Sequence, residues 1–191
     1  MLRLGILGSG KGSNFTAILN AIDHQTLKAQ VGCVLSDQPD AGILETARKR
    51  GIPAQYIDPQ RSGGRLSPEA ENQFISALQN AKVDLVVLAG FMRLIRKPFI
   101  AAFPRRIINI HPSLLPKFPG LDAWGQALEA GEKETGCTIH YVDEGMDTGE
   151  ILGQRRVPIF PNDTKQSLHA RIQIAEHALL PAIIAEKFSH A

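Results

Sequence analysis

The stretch Leu2-Arg3-Leu4-Gly5-Ile6-Leu7-Gly8-Ser9-Gly10-Lys11-Gly12-Ser13-Asn14 passes from a short apolar run through a glycine-rich loop into a helical pattern. The run Leu2–Leu7 is bounded by turn residues and predicts a buried strand, and the pattern over Asn14–Ile22 predicts a helix. A buried strand that leads directly into a helix is typical of a βαβ unit, in which the two strands run parallel. This stretch therefore predicts an α/β fold built on a parallel sheet.

The same alternation of strand and helix patterns continues through the first half of the chain. Further strands are predicted over Ala29–Ser36, Ala54–Ile57, Asp84–Ala89 and Arg106–Ile110, and helices over Ala41–Arg50, about Ser67–Gln79 and Pro98–Phe103. Ser67 and Pro68 form a good helix start, with a capping hydroxyl followed by proline at the first helical position. Strands separated by single helices indicate right-handed crossovers within one sheet.

The second half of the chain begins with a loop rich in proline. Pro112, Pro116 and Pro119 predict irregular structure, because proline fits neither a helix interior nor a central strand. After this loop we expect a helix over Leu121–Ala130, strands over Thr135–Val142 and Glu150–Val157, and a closing helix from about Thr164. Pro181 predicts a kink or a break in that helix. Without repeats or linkers, residues 1–191 are expected to form a single domain around a mostly parallel sheet of about seven strands.

Composition narrows the class of protein. The chain has 191 residues, 43% hydrophobic and 21% charged, with a formal net charge of +2, which excludes a disordered, collagen-like or coiled-coil chain. It has no long block of basic residues and no apolar run of membrane-spanning length, so neither a nucleic acid nor a membrane is expected as a partner. Cys33 and Cys137 lie far apart in apolar runs, which favours free thiols in a reducing cytoplasm. We expect a soluble cytoplasmic protein.

The loop between the first strand and the first helix favours phosphate binding. Small residues let backbone N–H groups approach an anion, and a helix N-terminus adds positive potential, so Gly12, Ser13 and Asn14 are candidate phosphate ligands. The specific nucleotide motifs fail, because Lys11 is not followed by Ser or Thr and Ser13 stands where a dinucleotide fingerprint needs glycine. Two alternatives stay open: a tight turn capped by Ser13, and a dinucleotide site in which Asp37 binds the ribose.

Three polar residues in the second half are candidate catalytic groups. Alternation along a strand places Asn109 and His111 on one face, at the carboxyl end of the fifth strand. The carboxyl ends of parallel strands form the ligand crevice of such folds. Asp147, in the loop Asp143–Gly149, could reach the same crevice. The alternative for His111 is a structural histidine.

Other catalytic routes have little support. No serine lies in a Gly-x-Ser-x-Gly context, and neither cysteine neighbours a histidine in sequence. His140 and Asp143 are expected to point to opposite faces and make a poor metal pair, and no metal site is predicted. His169 and His177 are too far apart on one helix to share a metal, and His24 and His190 are expected at the surface.

What remains is direct attack of a bound nucleophile on a carbonyl carbon. Protonated His111 and the amide of Asn109 could stabilise the oxyanion that forms. Asp147 could hold His111 protonated and help to collect the proton of the nucleophile through water. This arrangement is typical of acyl transfer between two bound substrates.

Five motifs, in order over essentially the whole length, resemble the folate-dependent phosphoribosylglycinamide formyltransferase family. They are Gly8–Asn14, Leu88-Ala89-Gly90-Phe91-Met92-Arg93, Asn109-Ile110-His111-Pro112-Ser113-Leu114-Leu115-Pro116, Asp143-Glu144-Gly145-Met146-Asp147-Thr148-Gly149 and Arg171–His177. The resemblance implies a Rossmann-like three-layer formyltransferase fold, with helices on both faces of a twisted sheet. It also implies transfer of the formyl group of 10-formyltetrahydrofolate, as co-substrate, to the amine of glycinamide ribonucleotide in purine synthesis.

The resemblance also assigns roles to individual residues. The catalytic Asn, His and Asp of the family fall on Asn109, His111 and Asp147. The family's ribonucleotide-binding positions fall on Gly12, Ser13, Asn14, Pro112, Gln173 and Glu176, and its folate-binding positions on Met92, Arg93, Ile95, Val142, Asp143 and Asp147. The N-terminal half would then bind the ribonucleotide, and the C-terminal half would bind folate and carry the catalytic groups. Packing in the core is the alternative for Met92, Ile95 and Val142. The partners implied are small molecules, with a monomer or homodimer as the assembly.

The chain departs from the family at two places. Leu121-Asp122-Ala123-Trp124-Gly125 replaces a histidine-rich stretch of some members, and the Arg that faces a phosphate in some members has no certain counterpart, with Arg61 and Arg65 as candidates. The family's proline loop also suggests a cis peptide bond between Leu115 and Pro116.

Two other functions use parts of the same pattern. A formyl-tRNA-type transferase or a formyltetrahydrofolate hydrolase would share the catalytic trio, but these proteins carry an additional domain for which 191 residues leave little room. A dinucleotide-binding oxidoreductase or regulatory module would use the glycine loop and Asp37. It would give the catalytic trio no shared role.

Overall fold

The helices and strands follow the order expected from the sequence, with most ends shifted by one or two residues. The computed structural model describes residues 1–61 and 63–188, so Ser62 and His190 lie outside it. The strands are β1 (Leu2–Leu7), β2 (Ala29–Ser36), β3 (Ala54–Tyr56), β4 (Leu85–Leu88), β5 (Ile107–His111), β6 (Glu134–Tyr141) and β7 (Ile151–Pro158). The helices are α1 (Ser13–Asp23), α2 (Gly42–Lys49), α3 (Pro68–Asn80), α4 (Lys97–Ala102), α5 (Ala123–Glu129) and α6 (Lys165–Phe188).

All the strands named above belong to one sheet, and the prediction of a mostly parallel sheet is confirmed. The seven strands lie in the order β3-β2-β1-β4-β5-β6-β7. β1 to β5 pair in parallel, whereas β6 runs antiparallel to both β5 and β7. The order reverses between β1 and β4, because the chain builds outward from β1 to β3 and then returns to the other side of β1. Such a switch point opens a crevice at the carboxyl ends of the strands.

The two faces of the sheet bury different helices, which confirms the three-layer α/β fold. On one face, side chains of α1, α2 and α6 such as Phe15, Ile43 and Ile184 pack against alternate residues of β1 and β4. On the other face, α3 and α4 contribute Phe74 and Phe99 to a second core. The interleaving of the two cores along β4 follows from the two-residue period of a strand.

The closing helix α6 continues through Pro181, so of the two expected outcomes, a kink or a break, the break is wrong and the kink stays a prediction. Proline lacks the N–H that would bond to the carbonyl of His177, and this loss favours a break. However, Leu180, Ile183 and Ile184 are all buried in the core around this point. Burial of these side chains outweighs the loss of one hydrogen bond.

Several smaller expectations are also met. The Ser67 hydroxyl caps α3 by accepting a hydrogen bond from the Ala70 N–H at 3.0 Å, and the peptide bond between Leu115 and Pro116 is cis. Cys33 and Cys137 are buried free thiols. Among the described residues, no helix combines the length and the apolar character that a bilayer crossing requires.

Gly5 offers a test of how tightly α3 packs on β1. A methyl group at this position would lie 2.4 Å from Leu78 Cδ2 and 3.0 Å from Val83 Cγ1, both in the buried core. We expect Gly5→Ala to lower the free energy of unfolding by about 1–3 kcal/mol, because the core must shift to admit the methyl group. Urea unfolding measures the change. Gly10→Ala is the matched control, since nothing lies within 4 Å of its added carbon. Equal stability of the two variants would contradict the prediction.

Candidate active site

Three segments meet at the carboxyl edge of the sheet, beside the switch point. The glycine loop follows β1, the segment Gly90–Arg93 follows β4, and Asn109 and His111 end β5. Backbone hydrogen bonds join the first two segments, since the Ser9 N–H donates to the Gly90 carbonyl at 3.0 Å. The parallel register of β1, β4 and β5 thus brings together residues that lie about a hundred positions apart in sequence.

Two of the three expected catalytic residues, Asn109 and His111, contact the third, Asp147. His111 Nδ1 is 3.3 Å from Asp147 Oδ2, and the Asn109 amide donates to Asp147 Oδ1 at 3.4 Å. Asp147 Oδ2 also accepts a hydrogen bond from the Gly120 N–H at 2.9 Å. Asp147 has a left-handed backbone with φ of 56°, which turns its carboxylate back toward the end of β5. The carboxylate therefore joins the loop after β6 to the proline-rich loop after β5.

A fourth polar residue, His140, completes this cluster and was not predicted as part of the site. Its Nε2 lies 3.2 Å from Asn109 Nδ2 and 3.5 Å from Asp147 Oδ1. Its Nδ1 lies 2.8 Å from the Tyr141 carbonyl. A carbonyl only accepts, so Nδ1 carries the proton and Nε2 of the neutral ring accepts from the Asn109 amide. His140 lies opposite Asn109 in the antiparallel pairing of β5 and β6. The alternation of side chains along one strand does not reveal this register, because it depends on how two strands pair.

The imidazole of His111 is held at both nitrogens. Nε2 donates to the Phe118 carbonyl at 2.8 Å, while Nδ1 faces Asp147. Burial lowers the pKa of His111, although the Phe118 carbonyl and the Asp147 carboxylate act in the opposite direction. The expected effect of Asp147 is therefore present but smaller than the cost of burying the charged ring.

The carboxyl group of Asp147 favours its ionised form. Burial by itself raises the pKa of Asp147, but the polar contacts with His140, the hydrogen bond from the Gly120 N–H and the neighbouring His111 lower the pKa below its ordinary value. An ionised carboxylate beside a buried imidazole favours the imidazolium over the neutral ring. The pair thus provides a place where a proton can be taken up.

The glycine loop leads into α1 without a side-chain cap. Gly12 is the N-cap residue, with left-handed φ of 81°, and a methyl group there would lie 2.8 Å from Ile43 Cβ. Glycine is therefore required by both the backbone and the space. Ser13 is the first residue inside α1, and the capping position is held by Gly12, which contradicts the alternative of a turn capped by Ser13. The first N–H groups of the helix are thus not occupied by a side chain.

Asn14 and Glu176 join the glycine loop to α6. Asn14 Nδ2 donates to Glu176 Oε2 at 2.9 Å, and both side chains are buried. Burial raises the pKa of Glu176 to about 7, even though the hydrogen bond from Asn14 acts in the opposite direction. The Oδ1 atom of Asn14 is buried without a partner among the described residues. Gln173, half-buried, lies three positions earlier on the same helix.

A cavity of about 380 Å³ lies next to this pair, between α1 and α6. It is lined by Ser13, Thr16, Ala17, Asn20 and His177. His177 Nε2 is buried and has no partner among the residues that the structure describes. The cavity continues the surface of the glycine loop along α1.

The other expected folate-binding residues are spread over the segments around the crevice. Met92 is 56% exposed, whereas Ile95 is buried and Val142 is packed against the core of α3 and α4. The exposed Asp143 accepts hydrogen bonds from the Gly145 N–H at 3.0 Å and the Thr148 hydroxyl at 2.8 Å, which fold the loop before Asp147. Pro112 is half-buried directly after β5.

Arg93 does not extend into solvent. Its Nε donates to Asp37 Oδ2 at 2.7 Å, and the arginine side chain is only 10% exposed. The other oxygen of Asp37 accepts from the Ser9 hydroxyl at 2.5 Å. Asp37 is thus occupied on both sides, which argues against its expected alternative role as a partner of a dinucleotide ribose. Of the other two arginine candidates, Arg61 offers its carbonyl to Arg93 at 3.4 Å, and Arg65 pairs with Leu94 through a short backbone bridge.

Comparison with known proteins identifies the family of the chain. The family model described as formyl transferase matches residues 2–184. The phosphoribosylglycinamide formyltransferase of Bacillus subtilis is 40% identical over 186 residues, which cover 97% of this chain and 94% of that protein. A crystal structure of phosphoribosylglycinamide formyltransferase from Bacillus halodurans superposes with a TM-score of 0.92 at 42% identity, covering 98% of this chain and 95% of that one.

A longer relative contains the same unit. The trifunctional purine biosynthetic protein adenosine-3 of Drosophila melanogaster is 46% identical over 185 residues, which are 96% of this chain but only 14% of that protein.

The chain belongs to the formyl transferase family. Its relatives over nearly the full length are phosphoribosylglycinamide formyltransferases. The resemblance stated from the five motifs is therefore confirmed.

The buried Glu176 predicts a pH-dependent stability. Its pKa of about 7 in the folded protein lies above the ordinary value of 4.5, so its contribution is fully present below pH 4.5 and is lost as the pH rises through 7. We expect Glu176→Gln, which keeps an acceptor for Asn14, to gain stability relative to the wild type between pH 5 and pH 8. The gain is at most about 3 kcal/mol. Urea unfolding at both pH values measures it, and a difference independent of pH would contradict the prediction.

Proposed function

We propose that this protein transfers the formyl group of 10-formyltetrahydrofolate to the amine of glycinamide ribonucleotide, a step of purine synthesis. The observation that carries the proposal is the contact of Asn109, His111 and Asp147 at the carboxyl edge of the sheet. This donor, imidazole and carboxylate stand beside a glycine loop suited to a phosphate. A small phosphorylated amine and a folate can therefore meet in one crevice.

The ribonucleotide would bind at the glycine loop and α6. Backbone N–H groups of Gly12, Ser13 and Asn14 lie at the N-terminus of an 11-residue helix, where an anion is favoured. Glu176, beside Asn14, would accept hydrogen bonds from ribose hydroxyls, with Gln173 and Pro112 as neighbours. The unpartnered oxygen of Asn14 is a further acceptor at this position.

The folate would bind on the opposite side of the catalytic cluster. Met92 has an exposed apolar side chain suited to an aromatic ring, and Ile95 and Val142, which pack in the core of α3 and α4, would add apolar surface to the pocket. The backbone of Arg93 and of the loop Asp143–Asp147 supplies polar groups. The formyl carbon would then lie near Asn109 and His111.

Formyl transfer needs a stabilised oxyanion and a route for one proton. The amine nitrogen attacks the formyl carbon and forms a C–N bond, and the carbonyl electrons move to oxygen. The Asn109 amide, whose 3.4 Å hydrogen bond to Asp147 opens when the substrates bind, and the positive charge of a protonated His111 stabilise this oxyanion. Burial lowers the pKa of His111 in the free protein. The negative charge of the oxyanion beside the ring then favours the protonated form of His111.

The tetrahedral intermediate collapses when the bond between the formyl carbon and N10 of the folate breaks. The attacking amine loses one proton, and the leaving N10 gains one. Asp147, ionised and in contact with His111, collects the proton of the amine through water and returns it through water to the leaving N10. This scheme uses no metal ion.

Location and assembly complete the proposal. We propose a cytoplasmic enzyme that acts on two small molecules as a monomer or homodimer. Neither a nucleic acid nor a membrane has a part in the scheme.

An absorbance assay of 10-formyltetrahydrofolate tests the proposal. We expect loss of the formyl folate only when glycinamide ribonucleotide is present, with formation of formylglycinamide ribonucleotide in equal amount. Turnover without the ribonucleotide would favour a hydrolase. No turnover with both substrates would contradict formyl transfer, and micromolar binding of NAD or NADP would revive the dinucleotide alternative.

The same assay tests the role of Asp147. Asp147→Asn keeps an acceptor for the Gly120 N–H but removes the charge that favours the imidazolium. We expect kcat to fall about 100-fold or more, with KM values changed only a few-fold. Glu129→Gln, which removes a carboxylate from the exposed end of α5, is the control and should keep wild-type kcat. Wild-type kcat in Asp147→Asn would exclude Asp147 from catalysis.

A further inference from the structure

One buried carboxylate ties the glycine loop to the segment after β4. The side chain of Asp37, which directly follows β2, has no exposed surface. Oδ1 accepts from the Ser9 hydroxyl at 2.5 Å, and Oδ2 accepts from Arg93 Nε at 2.7 Å. The same Ser9 oxygen accepts from the Met92 N–H at 2.9 Å. The carboxylate thus contacts one segment directly and, through a hydroxyl, the next.

Arg93 extends this network to a third segment. Its Nη1 donates to the carbonyls of Gly63 and Arg61, in the connection between β3 and α3. Both members of the Asp37–Arg93 pair are largely removed from water. Loss of one member of such a pair leaves a buried charge uncompensated, which is costly. The positions of these segments are therefore strongly linked.

The chain of hydrogen bonds has a fixed direction. The Ser9 hydroxyl has one proton, which it donates to Asp37, so its lone pairs are what hold the Met92 amide. Hydrogen bonds in series polarise and strengthen one another. A displacement of the glycine loop thus reaches the Met92 N–H through the Ser9 hydroxyl oxygen, in addition to the direct hydrogen bond from the Ser9 N–H to the Gly90 carbonyl.

We propose that Asp37 is a positioning residue that couples binding of the two substrates. The inference rests on the proposed function, in which Gly12–Asn14 hold the ribonucleotide phosphate and Met92–Ile95 line the folate pocket. The first substrate to bind orders the shared hydrogen-bond network. Binding of the second substrate then involves a smaller loss of conformational entropy. Each substrate therefore tightens binding of the other by the same factor.

Calorimetry of Asp37→Asn tests the coupling. Asparagine has the same shape as aspartate, and its side-chain oxygen can still accept the hydrogen bond from Ser9. Its NH₂ group then faces the Arg93 Nε–H, so that two donors oppose each other and no hydrogen bond forms. The dissociation constant of glycinamide ribonucleotide is measured with and without tetrahydrofolate, which carries no formyl group and permits no turnover. We expect tetrahydrofolate to tighten binding about five-fold or more in the wild type and less than about two-fold in the variant.

A second substitution reverses the mismatch. In Arg93→Gln the side-chain oxygen lies where Nε was, so the double variant Asp37→Asn/Arg93→Gln restores a donor facing an acceptor. We expect the double variant to recover part of the coupling, a rescue that general destabilisation does not explain. The matched control is Asp23→Asn, which breaks another Asp–Arg pair, Asp23–Arg50 at 2.6 Å on the exposed surface. Coupling in the control should equal that of the wild type.

The outcomes separate this inference from the proposed function. Wild-type coupling in Asp37→Asn, or no coupling in the wild type, would overturn the inference while formyl transfer stands. Binding of neither substrate by the wild type would overturn both. If Asp37→Asn does not fold, Ser9→Ala applies the same test, because it removes the link to Met92 and keeps the ion pair. Full coupling in Ser9→Ala overturns the inference, and its loss supports it.

Discussion

Parallel pairing of β1 with β4 is the constraint on which the site depends. These strands are separated by about eighty residues, yet the register from Leu4 with Leu85 to Leu7 with Leu88 ends both at the same edge. The glycine loop and Gly90–Arg93 are consequently neighbours before any side chain acts. Apolar side chains drive this pairing, since both faces of both strands are buried. Core formation and site assembly are thus one event.

The burial of these strands determines how polar side chains at the carboxyl edge of the sheet are bonded. A carboxylate or amide placed there is largely shielded from water, so it needs a partner, and the nearest partners belong to other segments. Asp37, Asp147 and Glu176 each bond to a residue from a distant part of the chain. Each carboxylate therefore links two segments of the chain at this edge of the sheet.

The sequence predicted what local patterns control. The period of apolar residues located the helices and strands, and alternation placed Asn109 and His111 on one face. The sequence did not give the order of the strands or the register between β5 and β6, because both depend on long-range packing. For this reason His140 was not predicted as part of the site. The sequence also did not show that Asp37 and Arg93 would pair, because nothing local fixes a partner 56 positions away. Pro181 shows the reverse case, in which a strong local signal gives way to the core.

The hydrogen bond from His140 to the Tyr141 carbonyl has an effect beyond its own residue. That carbonyl fixes the tautomer, the tautomer makes Nε2 an acceptor, and the acceptor turns the nitrogen end of the Asn109 amide toward Asp147. With the other tautomer, the amide would rotate and place its oxygen there. The Tyr141 carbonyl thereby determines that the amide presents its N–H groups rather than its oxygen. N–H groups at this position favour an atom that gains negative charge over one that loses it.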